Sequence, residues 1–422
     1  MSASFVQPAE DGRMQRWRFY ALVLWAVGVQ TQEAIGTVGF ALLVASYLPE
    51  LPRLRTSTLR AWWPLLAFLG WSLIVPAAAG QWPTGTGVAR TLDWAALPLV
   101  AHAATSLTPA QWRALLTASG ATLLVSCLLA GLQHFGVWPS EAFVRSLGWA
   151  PGSVYRVYEP IPGTERFMGG GLLFHRLKFS HVSGLALVGV TVAAWKAQRR
   201  ALLVAAGLAA FAAVWWFPAA RMGAVAMTAA VTAALAHLAA SPRRALLIVG
   251  GAGLACTLMI LASPSLRARF ESSVTAEGSG QRSQYLRAGL AAVQAHPLTG
   301  LGLDQFRPSR FAREDMTEHV RSHPGKAHNQ VLSVAAETGV PGALLYLLML
   351  GWLVARARQR PLGALTVGGV SSLVVLGLAH DPLFHAPYSQ GVVLLLGLGL
   401  SRSDDMSPAT VIGSSTNPEP PS

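Results

Sequence analysis

His328 is the side chain best suited to moving a proton near neutral pH, and it stands beside Asn329 in the stretch RSHPGKAHNQVLSVAAETGVPG, residues 321–342. Residues 330–338 separate this pair from Gly339, and Pro341 and Gly342 follow. The run after Asn329 is apolar at helical spacing, Gly339 and Pro341 stop it, and a long hydrophobic segment begins at once. This pattern predicts a short amphipathic helix with His328 at its head, at a boundary between water and membrane. The alternative for His328 is a loop cap that fixes its neighbour by a hydrogen bond. Arg221 stands alone where a hydrophobic run begins, a costly place for a guanidinium without a partner unless it snorkels to the surface. Arg282 opens an amphipathic stretch that Pro297 ends.

The elements that must position these residues follow from composition. Of 422 residues, 52% are hydrophobic and only 12% charged, and the mean hydropathy is +0.43. That is too apolar for a water-soluble globule and reads as an all-α polytopic membrane protein. The net charge of +13 is scattered over the ends of apolar segments instead of forming one basic domain, so no nucleic-acid partner is expected. Cys127 and Cys256 both lie inside expected spans without metal-ligand spacing. The polar N-terminus leads straight into a first span, so no cleavable signal peptide is expected.

Hydrophobic runs fall near 18–31, 33–48, 61–80, 87–106, 113–136, 180–195, 200–217, 221–240, 244–263, 341–356, 362–380 and 384–401, about 12 transmembrane helices. Arg53, Arg55 and Arg60, then Lys196, Arg199 and Arg200, then Arg243 and Arg244, then Arg356, Arg358 and Arg360 occupy alternate connections. The positive-inside rule therefore puts both ends in the cytoplasm: a tail at 1–17, a membrane domain at 18–401, and a Ser/Pro-rich disordered tail at 402–422. Two long polar loops, 137–178 and 264–340, then face outward, which in a Gram-negative bacterium means the periplasm, the larger holding short helices. The first carries Arg166, Arg176 and Lys178, with His181 just beyond it, and the second carries Arg321, His323 and Lys326. These are further candidates for touching substrate, with lipid-headgroup anchoring or a solvated surface as the alternatives. Arg90 and Asp93, three apart in the fourth run, are expected to pair with each other. His380, Asp381 and His385 lie in the last outward connection.

His328, Asn329, nine residues, Gly339 and Gly342 resemble the signature of the bacterial O-antigen ligases and their relatives in the Wzy superfamily. A second block, Arg282, His296, Pro297, Gly300, Gly302 and Phe306, resembles the family's segment just upstream. The Pro-Asn element of the polymerase branch is missing near His181, which favours the ligase branch. The resemblance implies an undecaprenyl diphosphate-linked glycan donor in the outer leaflet and a lipid A-core oligosaccharide as acceptor. Acceptor hydroxyls of a second glycan or of a protein would mark a polymerase or a protein O-oligosaccharyltransferase instead, and a flippase would share only the spans. Guanidinium groups hold phosphate oxygens two at a time and stay charged, so Arg221, also by its position in the family, and Arg282 are the expected diphosphate ligands. His328 is then the base that deprotonates the acceptor, with inversion in one displacement. Asn329, Gly339 and Gly342 are structural. Glu337, about half a turn round a common helix from His328, is a poor nucleophile candidate and is also read as structural. No cofactor or metal is expected, since no Asp-x-Asp pair or clean His spacing accompanies the motif.

Overall fold

The computed structural model describes residues 12–53, 60–138, 143, 146, 159–161, 164–197, 200–239, 241–262, 276–311, 315–322 and 326–401. Among these, helices are α1 (Gly12–Thr31), α2 (Glu33–Tyr47), α3 (Trp63–Ala78), α4 (Gly85–Ala95), α5 (Leu97–Thr105), α6 (Pro109–His134), α7 (Arg176–Ala197) and α8 (Arg200–Trp216). They continue with α9 (Arg221–Leu238), α10 (Pro242–Ala262), α11 (Ala276–Ala295), α12 (Glu318–Ser322), α13 (Gln330–Ala357), α14 (Gly363–Gly377) and α15 (Ala386–Gly399). The fold is all-helical in its described part, apart from one isolated bridge between Pro160 and Phe167. Five helices, α6, α7, α9, α10 and α13, are long and apolar enough to cross a membrane, and α3, α14 and α15 are shorter apolar helices. The expectation of about 12 spans is met only to that extent. The run expected at 87–106 is two helices, α4 and α5, which meet at Ala96 just before Pro98.

Helix starts follow local chemistry. Thr108 accepts from the backbone of Gln111, which bonds back to it, and Pro109 sets the first turn of α6. Asn329 caps α13 by accepting from Leu332 N at 3.0 Å. At the centre stands α15, buried from Pro387 to Gly399 and packed by α1, α5, α7 and α14. Around it α9 lies against α7 and α14, and α13 against α3 and α14. By contrast, α10 buries none of its residues and leans on α9. Exposed Leu246, Leu247, Leu254 and Leu258 give it a surface suited to lipid.

The connections gather at two ends. At one, Lys178 reaches Glu33 at 2.9 Å, Gln305 donates to Trp82 O at 2.9 Å, and Gly169 N donates to Phe217 O at 2.8 Å. At the other, Arg18 pairs with Glu50, Gln15 donates to Ser106 O, and Arg356 donates to Ala61 O at 2.9 Å. The expected Arg90–Asp93 pair is replaced by longer reaches: Arg90 binds Asp304 at 3.0 Å, whereas Asp93 is buried and accepts from Gln390 at 3.5 Å. Helical spacing permits the local pair, but a carboxylate from the segment after α11 captures the arginine.

The expected short helix at 330–340 and span at 341–356 form one element, α13, kinked at Gly339, where φ is 74°. The kink breaks the helical ladder, and the segment after α11 fills the gap. Leu301 N donates to Ala336 O at 3.0 Å, Gly302 N to Glu337 O at 2.9 Å, and Val340 N to Pro297 O at 2.8 Å. Both glycine blocks of the sequence are thus parts of one joint. Gly300 has φ 67°, and a Cβ there would fall 2.3 Å from the Glu337 carbonyl carbon; one at Gly342 would fall 2.1 Å from Thr338 Oγ1. At Gly339 a Cβ would fall 2.3 Å from Leu298 O, so Gly339→Ala suffers both the collision and about 1–3 kcal/mol of backbone strain. Gly339→Ala should therefore lower the thermal midpoint of the purified protein by several degrees. Gly351→Ala, on the same helix with nothing within 4 Å of the new methyl, should not.

Candidate active site

His328 sits just before the cap of α13, not on the helix, with φ 54° in the left-handed region that costs a non-glycine residue strain. Asp381, buried between α14 and α15, supplies the restraint: one carboxylate oxygen accepts from His328 N at 2.7 Å and the other from the Ser333 hydroxyl. Ser333 Oγ in turn accepts from Ala327 N at 3.2 Å, and Gln330 Oε1 accepts from Leu383 N at 3.0 Å. Three of these bonds stitch the turn 327–333 to the connection 378–385, and the Ala327–Ser333 bond closes the turn on itself. The angular comparison between Glu337 and His328 on a shared helix does not hold, because the helix begins at Gln330. Glu337 is buried and its carboxylate is engaged by Lys326 at 2.7 Å.

The His328 ring meets Tyr285 edge-on, centroids 4.7 Å apart, and His380 at 6.3 Å. Tyr285 lies three residues after Arg282 on α11, so exposed Arg282 shares the helical face that carries the contact to His328. Arg221 opens α9, half-buried, within electrostatic reach of Arg282 and Arg176. The N-terminus of α9 comes close because Gly223 has no side chain: a Cβ there would lie 2.1 Å from Ser180 Oγ and 3.1 Å from the His181 ring. His181 is buried beneath, its ring 5.6 Å from that of His380 and 6.5 Å from that of His385. Its Nε2 has no hydrogen-bond partner among the described residues. Arg176, one and a half turns before His181 on α7, pairs with Glu159 at 2.7 Å.

The remaining candidates go elsewhere. Lys178 pairs with Glu33, exposed Arg321 pairs with Glu318 at 2.8 Å, and Arg166 lies over the Phe135 ring at 4.5 Å. His323 lies outside the described residues. Lys326, read as a substrate contact, instead bridges Asp304 at 3.0 Å and Glu337, donates to Phe306 O at 3.3 Å, and sits over the Phe384 ring at 4.3 Å. Asp304 also accepts from Thr84 at 2.9 Å. Burial acts to raise its pKa, but Lys326 and Arg90 outweigh that and hold it down at about 2. Among the described residues no group of three His, Cys, Asp or Glu side chains is placed to hold a metal.

Tyr285, His380 and Asp381 were not assigned a role from sequence. Tyr285 could have been found by stepping three residues along the helix from Arg282. For Asp381 the signal was a carboxylate between two histidines in a short outward connection, but no spacing rule ties it to His328. Burial pushes the Asp381 carboxyl up to about 6 despite the hydrogen bonds from Ser333 and His328.

The site is thus a basic, histidine-rich cluster in a helical membrane protein, built from α7, α9, α11, the turn before α13 and the connection before α15. Residues 169–347 match the family model described as O-antigen ligase, which supports the resemblance to that family. The matched segment contains Arg176, His181, Arg221, Arg282, His328, Gly339 and Gly342. No curated protein matches the chain. The match supports a function of the ligase and polymerase type, a class whose substrates are lipid-linked glycans in a membrane setting.

The Asp381 restraint has a pH signature. With a folded pKa of about 6 against an ordinary 3.8, the folded protein keeps a proton that the unfolded chain releases in between. The stability contributed by this carboxyl is full below pH 3.8 and is lost as pH rises through about 6. Thermal unfolding across that window should lose this slope in Asp381→Asn relative to the native protein. An identical pH dependence in both would mean that another group titrates.

Proposed function

We propose that the protein is an O-antigen ligase that transfers a glycan from an undecaprenyl diphosphate-linked donor to lipid A-core oligosaccharide at the periplasmic face of the inner membrane. The observation that carries this reading is the convergence of Arg176, Arg221 and Arg282 beside His328 at the end of the molecule bearing the outer loops. A sugar diphosphate brings its own leaving group, so the protein has to neutralise that group and activate a hydroxyl. Arg221 and Arg282 hold the diphosphate oxygens, and Arg176 adds charge from α7. His328, held by Asp381 through its backbone, takes the acceptor proton as the hydroxyl attacks the anomeric carbon. One displacement inverts that centre. A covalent intermediate would need a free carboxylate, and both Glu337 and Asp381 are already engaged. The arginines supply the charge neutralisation that a metal supplies in other glycosyl transfers.

Loss of a general base costs about 10² to 10⁴ in rate. His328→Ala should therefore lose transfer to that degree while keeping its thermal midpoint and its binding of the lipid diphosphate. Native activity should decline on acidification as the imidazole protonates. Arg221→Lys and Arg282→Lys keep the charge but lose the planar fork, and their transfer should fall steeply at normal expression. Near-native transfer in His328→Ala, or in both Lys variants, would sink the assignment. Supplying lipid A-core, a second glycan or a pilin-like protein to the same preparation identifies the acceptor, and transfer to either of the latter alone would replace the ligase reading.

Orientation is checked separately. In a background lacking Cys127 and Cys256, single cysteines near Arg200 and Arg358 should resist a membrane-impermeant thiol reagent on intact spheroplasts, and one near Asp315 should react. The reverse pattern would remove the periplasmic site.

A further inference from the structure

We propose that α11 lies on the bilayer at the kinked end of α13, with the flank that carries Leu286 and Leu290 sunk among the phospholipids. This contact holds whether or not the site transfers a glycan.

Three sides of α11 have three different surroundings. The inner side packs on the start of α13: Tyr285 meets the His328 ring, Ala288 and Ala292 are fully buried, and a Cβ at Gly289 would fall 2.8 Å from the Leu332 side chain. A polar flank meets the segment around α12, where Gln284 Oε1 accepts from Thr317 N at 2.8 Å and Arg287 pairs with Asp315 at 3.0 Å. On the remaining flank Arg282, Leu286 and Leu290 follow one another at four-residue spacing, all of them exposed. Leu290 is 51% exposed on a helix that already has a packed side and a polar side.

The path of the chain shows what this flank rests on. Just beyond α11 comes Leu298, 67% exposed, and its neighbour Pro297 receives Val340 N at 2.8 Å. Val340 follows the kink of α13, and Leu344 and Leu348 repeat its four-residue spacing, again exposed. Since α13 is long and apolar enough to cross a membrane, these side chains face lipid. Exposed leucines therefore lead from the lipid-facing side of a span, across the joint, onto α11. Trp82 stands beside the same segment: it is 70% exposed, its carbonyl accepts from Gln305 at 2.9 Å, and a Cβ at Gly302 would fall 2.7 Å from Gln81 O. Exposed tryptophan collects at headgroup level, which puts that level next to the end of α11.

A helix with one apolar flank at this level lies in the plane of the headgroups. A second copy of the chain fits the flank less well, because a stable interface buries about 800 Å² per partner and a line of two leucines beside an arginine does not supply it. Phospholipid satisfies both parts, acyl chain for the leucines and phosphate for Arg282, which stands one turn before Leu286 on the same flank. If the transfer reading above holds, a lipid-linked diphosphate then meets Arg282 by lateral diffusion without leaving the membrane.

The test uses the full-length chain with Cys127→Ala and Cys256→Ala, and Leu286→Cys, Leu290→Cys or Ala295→Cys added singly and labelled with an environment-sensitive fluorophore. Ala295 is the control, exposed and half a turn round the helix from Leu286. In vesicles of phosphatidylcholine and phosphatidylglycerol, a nitroxide carried on the lipid chain near the headgroup should quench the labels at 286 and 290, whereas aqueous iodide should quench the label at 295. Equal iodide quenching at all three positions would overturn the proposal. Shielding of 286 and 290 from both quenchers would overturn it too, since a protein would then cover the flank. A second measurement needs no substitution: the native chain in vesicles holding a diazirine-bearing phosphatidylcholine should take lipid adducts on residues 288–307. Adducts on α10 with none on that segment would overturn the proposal equally. Neither measurement reads transfer, so failure of the ligase reading leaves the outcome unchanged.

Discussion

The arrangement of the site depends on one backbone joint. Where Gly339 leaves helical geometry, the carbonyls of Ala336 and Glu337 are met by Leu301 and Gly302, and Pro297 O receives the amide of Val340. A break in a helix is tolerated when other protein groups satisfy the freed polar atoms, and here the segment after α11 does so. The joint fixes the end of α11 against the first turns of α13. That fixes Arg282 and Tyr285 relative to His328, since the three are carried by those two helices and the turn between them. Glycine at 300 and 339 is therefore a requirement of how closely two backbones approach.

A second restraint lies beneath the joint. Asp304, Lys326, Glu337 and Arg90 form a chain of ion pairs, with the Phe384 ring between the cations of Arg90 and Lys326. Buried pairs of this kind add little net stability, because desolvation consumes most of the Coulomb gain, but removing one partner strands the others. Their effect is to select one register of the outer loop on the helices. The aromatic ring belongs to the connection that also carries Asp381 and His380, so loop, helix and site are tied through one cluster.

How much of this was legible in the sequence varied with the range of the interaction. Helix positions were readable because long apolar runs and terminal arginines are local signals, and the observed α1, α2, α7, α9 and α14 lie close to the runs read from composition. The motif around His328 was readable because its glycines have fixed spacing to a kink. Partners were not readable. The i,i+3 rule paired Arg90 with Asp93, yet the carboxylate that wins lies 214 residues away. Lys326 looked like a substrate cation because its counter-ions come from separate parts of the chain. Asp381 could not be tied to His328, 53 residues earlier, without knowing that α13 and α14 fold back on one another.

The central position of α15 bears on how such a protein is made. The connection that holds His328 in its left-handed conformation follows the matched segment 169–347 in chain order, so it is synthesised after that segment. Until α14 and α15 enter the membrane, the turn at 327–329 lacks Asp381, and the helices around the middle of the molecule lack the element against which they pack. Docking of α14 and α15 therefore couples packing of the central helices to assembly of the candidate site. Without α14, α15 and the connection between them, Arg221, Arg282 and His328 would lack the Asp381 contact that fixes the turn before α13.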